Sequence, residues 1–421
     1  MPMSAMKVLI ANDLYGRSSA AGVAVRMAEG LAARGLEVSY LSTVQDKGAA
    51  NEETVNGVRV RQVFTPPYPG RWKAWRSLDN SPGVAAMKAA VQDFVPDVVH
   101  VHNLHSHLSY AALAAARSGG AKVALHVHDV MPFCHQKLFC HLDERLVPGD
   151  EVVYRAGPLK CAVCVRGRFN PWRNKTIRRV LARDVDRLVA VSDEMGKALL
   201  ANGLGSSTTI VNGVSEDTPL APPEAVAALR ERLGLGGRRV IFFGGRLDRL
   251  KGGLQLVEAL ALVQVKHPDA VLLMAGEALP GFNEEVSALA GRLGLSPGHL
   301  VHAGWLDGSE LAAAYALADV VATPSLCFES FGLVNLEAMA AGRPVVASFW
   351  GGPSNVVVDG VTGFLVNPLQ VAVLADRLGR ILSDEALAEK LGAAGRARVR
   401  SVFGLRAQAD AALGLYEEMV S

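Results

Sequence analysis

The stretch DVVATPSLCFESFGLVNLEAMAAGRPVVAS, residues 319–348, decides the fold. It opens and closes on short valine-rich runs, VVATPS and PVVAS, which read as buried strands. Between them FGLVNLEAMAAG is a helical pattern that stops at Gly342, with Pro344 just beyond. Strand, helix and strand in so short a span predict one unit of a parallel sheet with its helix on a face.

The same stretch carries two carboxylates, Glu329 and Glu337, eight positions apart. Glu337 stands in an otherwise apolar, Ala-rich helix, where an unpartnered carboxylate is expensive to bury. Ser330 is a good N-cap, which leaves the amides of Phe331, Gly332 and Leu333 pointing out of the helix start. Free amides at the positive dipole end hold an anion, and Gly332 lets it approach closely. Glu337 lies about two turns further in, roughly 10 Å along the axis at about 1.5 Å per residue. That is too far for the roughly 5 Å carboxyl pair of a retaining glycosidase. It fits the two ends of an elongated ligand with an anionic middle, such as sugar, diphosphate and ribose. The same spacing also allows a solvated loop acid at 329 and an ion-paired acid at 337.

The rest of the chain repeats the alternation in two series. KVLIAN, EVSYLS, VRVRQVF, DVVHVH, KVALHV, RLVAVS and TTIVNG form the first; RVIFFGG, AVLLMAG, LVHAG, DVVATPS, PVVAS and GFLV form the second. This predicts an α/β protein of two doubly wound, Rossmann-like parallel-sheet domains facing a central cleft, residues 1–215 and 226–403. The polar SEDTPLAPPEA, residues 215–225, is the expected hinge. After GFLV only helices follow, and the last, within 404–421, has no strand of its own to cover.

With 421 residues, half of them apolar, and a net charge of +2, the chain reads as an ordinary globular protein with no nucleic-acid partner. No run of about 18 apolar residues appears, and the N-terminus lacks a signal peptide's apolar core. Five cysteines, four of them clustered, argue for a reducing cytoplasm over a secreted disulfide scaffold.

FFGGRLDRLKGG, residues 242–253, places Gly245, Arg246 and Lys251 at a strand-to-helix turn. Arginine through its fork and lysine as a point charge can hold a diphosphate there. Neither a GxGxxG fingerprint nor a P-loop is present.

Taken together, GGRLDRLKG, ESFGLVNLE and GGPSNVVVDGVTGFLV resemble the family 4 retaining glycosyltransferases of the GT-B fold. The resemblance covers nearly the whole chain and is sharpest in its second half. It implies a nucleotide-sugar donor, UDP- or GDP-linked, held by the C-terminal domain. It also implies a carbohydrate or lipid-linked acceptor on the N-terminal domain, a last helix that crosses back to that domain, and no catalytic metal. Arg246 and Lys251 match the diphosphate-binding pair, Glu329 the acid beside the donor sugar, and Glu337 the ribose-binding acid. Gly304, Trp305 and Leu306 match the segment bordering the base. Asn355 departs from the glutamate often found after the GG turn.

In the first domain, Gly22 beside Ala21 stands in NDLYGRSSAAGVAVR, where the family often shows paired glycines in the loop before the helix. His128 and Asp129, ending KVALHVHDV, resemble the active-site histidine motif, in which the imidazole lines the donor sugar; His126 reads as a hydrogen-bonded core residue. HVHNLHSH, residues 100–107, has the histidine count of a metal cluster. Strand alternation sets His100 and His102 apart from the other face, and the rest of the run is expected in the following loop or helix. As the resemblance implies no catalytic metal, His102 and Asn103 read as cleft-lining at most.

Cys134, Cys140, Cys161 and Cys164 fall within the segment 134–164. They offer a structural zinc or iron–sulfur site; reduced buried thiols and a redox pair are the alternatives. PPYPGRWKAWR (66–76), expected as a loop, and RGRFNPWRNKTIRR (166–179) mix tryptophan with cations. They suit peripheral contact with an anionic inner-membrane face or a phosphate-bearing lipid, or else are solvated loops.

The function expected is transfer of a sugar with retained configuration, by same-face attack within an ion pair. The diphosphate charge is stabilised by Arg246, Lys251 and the helix amides. A UDP-sugar 2-epimerase of the same fold and a non-catalytic nucleotide-sugar-binding homologue are the rival classes.

Overall fold

The computed structural model describes residues 6–16, 19–138, 154–156, 158–165, 170–215 and 220–421. The chain divides into two compact units, Met1–Gly213 with Leu405–Ser421, and Val214–Gly404. The first crossing therefore falls ahead of the expected 215–225 hinge and the second at Gly404. Both crossings lie together, because the Val214 amide donates to Phe403 O at 2.8 Å. Part of the expected linker is helical: Pro223 opens the helix Pro223–Arg232, a position where its missing N–H costs nothing.

The first unit carries eight strands: β1 (Lys7–Ala11), β2 (Glu37–Val44), β3 (Asn51–Val55), β4 (Val58–Phe64), β5 (Val98–Val101), β6 (Lys122–Val127), β7 (Arg187–Ala190) and β8 (Thr208–Thr209). Their order is β3-β4-β2-β1-β5-β6-β7-β8, parallel except for the β3–β4 hairpin. That hairpin departs from the all-parallel expectation. It turns on Asn56 and Gly57, both at positive φ, the two-residue turn that an Asn-Gly pair favours. The polar strand NEETV gives no apolar signal, and Glu52 instead bridges Arg59 and Arg61 across the pair at 2.5 and 2.8 Å.

The second unit holds β9 (Arg239–Gly244), β10 (Ala270–Ala275), β11 (Leu300–Gly304), β12 (Val320–Thr323), β13 (Val345–Ser348) and β14 (Gly363–Val366), all parallel, in the order β11-β10-β9-β12-β13-β14. Helices cover both faces, so β10, AVLLMA, is buried at every position. The order reverses at β1 in one sheet and at β9 in the other, and such switch points open crevices at the strand C-termini.

The last helix, Leu405–Val420, packs on the first unit against Ser19–Ala32. Ala412, Leu415, Tyr416 and Met419 join the core of β1, β2 and that helix, and Arg34 pairs with Asp410 at 2.6 Å. This packing accounts for a terminal helix with no strand of its own.

Candidate functional site

At the switch point of the second unit, β9 ends at Gly244 and Gly245 follows at φ +107°. The Gly245 amide donates to Ala275 O at 2.9 Å, and a Cβ on Gly276 would come within 1.8 Å of Gly245 O. The turn carrying Arg246 is thus pressed against the end of β10, with no room for side chains.

Asp248 organises both cations on this turn. Its Oδ2 accepts Nε and Nη2 of Arg246 at 2.6 and 2.5 Å, while Oδ1 accepts the Lys251 amide at 2.9 Å and caps the turn Arg249–Lys251. The Asp248 side chain is 5% exposed and that of Arg246 40%, so a solvent-facing fork rests on a buried anchor. Sequence reading passed over Asp248; the signal was an N-cap residue type three positions before Lys251.

Gly252, at φ +80°, lies so close to the loop leaving β12 that a Cβ would come within 2.0 Å of Pro324 O. The approach brings Lys251 to Glu329: Nζ donates to Oε2, and Ser325 Oγ donates to the same oxygen at 3.1 Å. Burial pushes the Lys251 ammonium down, but the adjoining Glu329 carboxylate prevails and holds it above the usual lysine range. Burial, then the Glu329 charge, pushes the neighbouring Cys327 thiol up to about 12, so it stays protonated at neutral pH.

The helix after this loop runs Leu333–Ala340, and Gly332, at φ +96°, takes its cap position with no side-chain hydrogen bond. Ser330 therefore does not cap it, contrary to expectation. A Cβ on Gly332 would lie 2.7 Å from Asn335 Nδ2, so the tight turn excludes a larger residue. The first donors back to Gly332 O are Asn335 at 3.0 Å and Leu336 at 3.3 Å, which leaves Leu333 and Val334 heading the helix. Phe331 is instead buried against Phe403, with ring centroids 5.9 Å apart. The loop itself rests on the GG turn: Cβ atoms on Gly351 and Gly352 would fall 2.2 Å from Glu329 O and 2.4 Å from Ser330 O. Asn355, in the turn Pro353–Val356, accepts Arg398 Nη2 through its carbonyl at 2.9 Å.

Because the helix starts late, Glu337 sits one turn inside it, about 6 Å along the axis rather than 10 Å. It is half-buried, and its Oε2 accepts Tyr315 Oη at 2.7 Å. Tyr315, from the helix Gly308–Leu317, stands edge-on to Phe242 at 5.2 Å. Burial, then the Glu337 charge, pushes its phenol well above the usual range, so it remains a donor. Gly304, at φ +71°, accepts the Gly276 amide at 2.7 Å; Trp305 is 64% exposed, and Leu306 is buried.

In the first unit the helix begins at Ser19, so Gly22 lies in its first turn rather than in the preceding loop. The loops after β1 and β5 are tied by Asn12 and Asp13. Asn12 Oδ1 accepts the Asn103 amide at 2.9 Å, and buried Asp13 accepts those of Ser106, His107 and Leu108 at 2.7, 2.8 and 2.8 Å. Asp129 Oδ1 accepts the Met131 amide at 2.9 Å, and Oδ2 lies 3.3 Å from His105 Nε2.

The histidines of β5 meet those of β6, while His105 and His107 lie apart in the loop after β5. Positions i and i+2 share a strand face, and β5 and β6 are neighbours with His100 opposite Ala124. His100, His102, His126 and His128 therefore stack, with neighbouring centroids 4.4 to 5.4 Å apart. His102 Nδ1 and His128 Nε2 are 2.7 Å apart, and His126 Nε2 is 3.2 Å from Ile210 O. His102 is 1% exposed and lines no open surface. Burial pushes all four imidazoles far below their ordinary value, so they are neutral at neutral pH.

Cys134, Cys161 and Cys164 line one small cavity with His135; Cys140 lies outside the described residues. Buried Arg173, expected in a basic surface patch, is internal here and donates to Met131 O at 2.6 Å. Burial lowers its pKa against the opposing influence of Tyr110, Cys134, Asp129 and Cys161. The segment expected as a loop at 66–76 holds two short helices, Gly70–Trp72 and Lys73–Arg76.

Two Rossmann-like units of these strand orders are the GT-B class of fold. HepE of Anabaena, solved in complex with UDP, matches at TM-score 0.72 over 98% of this chain and 100% of that one, at 20% identity. Sucrose-phosphate synthase of Thermosynechococcus elongatus matches at TM-score 0.74 over 99% of each chain, at 24% identity. At such identities the likeness establishes the fold. Glycosyltransferase Family 4 matches residues 20–218, and Glycosyl transferases group 1 matches residues 201–398. The chain belongs to this family of GT-B glycosyltransferases. It is 33% identical over 255 residues to the GDP-mannose-dependent alpha-(1-6)-phosphatidylinositol monomannoside mannosyltransferase of Mycolicibacterium smegmatis, a match covering 58% of this chain and 66% of that one. It is 39% identical over 241 residues to the D-inositol 3-phosphate glycosyltransferase of Xylanimonas cellulosilytica, covering 55% of this chain and 57% of that one. The matched stretch thus spans somewhat under two thirds of these relatives' lengths.

Proposed function

We propose that the chain is a glycosyltransferase that moves a sugar from a nucleoside-diphosphate donor to a carbohydrate or lipid-linked acceptor with retained configuration. The observation that carries this is the Asp248 anchor at the β9 switch point, which presents Arg246 and Lys251 together beside Glu329. In this reading the diphosphate takes Arg246 through its fork and displaces Glu329 from Lys251. The two cations and the Leu333–Val334 amides then stabilise the leaving group as its charge grows. Glu329, released, orients the donor sugar. Glu337, held by Tyr315, accepts the ribose hydroxyls, and Trp305 borders the base. The charge is met by protein groups, so transfer itself uses no metal.

The test is a thermal-shift and turnover panel of UDP-, GDP- and ADP-sugars on wild type and Glu337→Ala. One nucleotide series stabilises wild type and not the variant, which also names the base. A shift that survives in Glu337→Ala, or none in wild type, refutes the reading. Conversion of a UDP-sugar without acceptor favours the 2-epimerase, and binding without either reaction favours the non-catalytic homologue.

The cysteine cavity supports a structural zinc, or an iron–sulfur cluster, held by Cys134, Cys161 and Cys164. Three thiols and an imidazole around one small cavity are the donor types such a site takes. Metal analysis and absorption of wild type against Cys161→Ser decide it, since loss of metal is expected only in the variant.

Trp72, Trp75 and Trp172 are all exposed, at 49%, 49% and 65%, amid Arg71, Lys73, Arg76 and Lys175. Asn170 Nδ2 donates to Ala74 O at 3.5 Å, and Arg173 Nε to Ser77 Oγ at 3.3 Å, so the two stretches adjoin. No helix among the described residues is long and apolar enough to cross a membrane. The patch supports peripheral docking on an anionic cytoplasmic membrane face. Sedimentation with phosphatidylglycerol vesicles should fall for Trp72→Ala/Trp75→Ala; equal sedimentation of wild type and variant counts against it.

A further inference from the structure

The histidine stack of the first unit has three ring nitrogens without a partner. His100 Nε2, His102 Nε2 and His126 Nδ1 are buried and have no hydrogen-bond partner, although their residues are only 0%, 1% and 0% exposed. A buried nitrogen without a partner is destabilising, so three in one cluster need a reason. His100, His102 and His126 each offer a ring nitrogen within 4.8 Å of those of the other two.

The other nitrogen of each ring is held. His126 Nε2 faces the Ile210 carbonyl at 3.2 Å, which can only accept, so that nitrogen carries the proton and Nδ1 has the lone pair. His100 Nδ1 lies 2.6 Å from Tyr416 Oη, whose own hydrogen is directed at Met27 Sδ, 4.0 Å away. That pairing occupies Nδ1 and leaves Nε2 as the nitrogen available to a ligand. His102 Nδ1 pairs with His128 Nε2 at 2.7 Å. Each ring thus has one nitrogen engaged by a partner outside the trio and the other left without one, as where outer hydrogen bonds orient imidazole ligands around a metal.

We propose that His100, His102 and His126 form a nitrogen-liganded site for a late transition-metal ion, separate from the donor-binding machinery. Three neutral imidazoles bring no oxygen, which disfavours Mg²⁺ and Ca²⁺ and suits Zn²⁺ or copper. At metal–nitrogen distances near 2.0–2.1 Å, tetrahedral ligands sit about 3.4 Å apart, so the cluster closes by up to roughly 1.4 Å around the ion. The ion would cross-link β5 and β6 and, through Tyr416, fasten the last helix to them. It would also fix the ring of His102, and so that of His128.

The experiment uses the full chain with Cys161→Ser/Cys164→Ser, so that thiols do not contribute to the count. Protein expressed in zinc-supplemented medium is dialysed against chelator and analysed for metal; Co²⁺ is then substituted by refolding, and Cu⁺ is tested in a reducing arm. About one equivalent of Zn²⁺ or Cu⁺ is expected, with a visible Co²⁺ band free of thiolate charge transfer and a lower melting temperature once the metal is removed. His126→Phe, which fills the ring's volume, should abolish the equivalent. Tyr416→Phe keeps every ligand and removes only the outer hydroxyl on His100, so affinity should fall about 10- to 100-fold even if His126→Phe proves unstable. No bound metal in either arm, or metal content and affinity unchanged by both substitutions, overturns the proposal; the latter result means an adventitious ion only.

Discussion

Glu329→Gln tests the exchange on which the proposed donor site depends. In the free protein Glu329 holds Lys251, so a diphosphate must break that pair before it can use the ammonium. Both side chains are 23% exposed, so the pair is neither sealed nor fully solvated. Exposed pairs are worth about 0.2–1 kcal/mol and hydrogen bonds to charged groups about 1.5–3 kcal/mol, which places this one near 1–1.5 kcal/mol. Glutamine keeps the shape and removes the charge. Free UDP or GDP, whichever is the cognate product, should then bind roughly 5- to 12-fold more tightly, at about 1.4 kcal/mol per decade. Transfer should fall at least about 100-fold in kcat, because the group orienting the sugar is lost. Titration calorimetry with the nucleoside diphosphate, beside turnover of the full donor, measures both. Unchanged or weaker product binding in Glu329→Gln would refute the claim that the pair competes with the ligand.

Gly351→Ala should cost about 3 kcal/mol or more and suppress donor binding, since its Cβ would meet Glu329 O at 2.2 Å and φ is +89°. Gly360→Ala, at φ +71° with open space around it, is the control and should cost only about 1–2 kcal/mol by chemical denaturation. Tyr315→Phe should destabilise the fold by about 1 kcal/mol and raise the donor KM several-fold with little change in kcat, because Glu337 loses its orienting hydroxyl. The Lys251 ammonium is held above its ordinary value, so its pairing contributes fully below about pH 10.4 and is lost as pH rises through the higher folded value. The melting-temperature gap between wild type and Lys251→Met should therefore be flat from about pH 6 to 9 and close only in strong alkali.

Much of the fold was legible because its signals are local. Valine-rich runs of strand length alternating with Ala- and Leu-rich helices appear wherever both sheet faces are covered, as β10 shows. β3 was illegible for the same reason inverted: an edge strand of polar residues buries nothing, and only Asn56-Gly57 announced it. The start of the Leu333–Ala340 helix was misread at Ser330, because a left-handed Gly332 held by close packing overrode the capping preference.

The sequence by itself determined two doubly wound sheets, the loops that carry their chemistry, and the residue types on those loops. These follow from hydrophobic periodicity, glycine and proline, which act over a few residues. Tertiary structure alone decided which side chains meet. Asp248 gathers Arg246 and Lys251, Glu329 lies on Lys251, and Tyr315 reaches Glu337 from 22 positions away in the chain. The histidines are the plainest case: parallel pairing of β5 with β6 unites residues that read separately as strand ends and loop. Register between strands is a property of the packed sheet, fixed by helices and neighbours far along the chain, so no local pattern contains it.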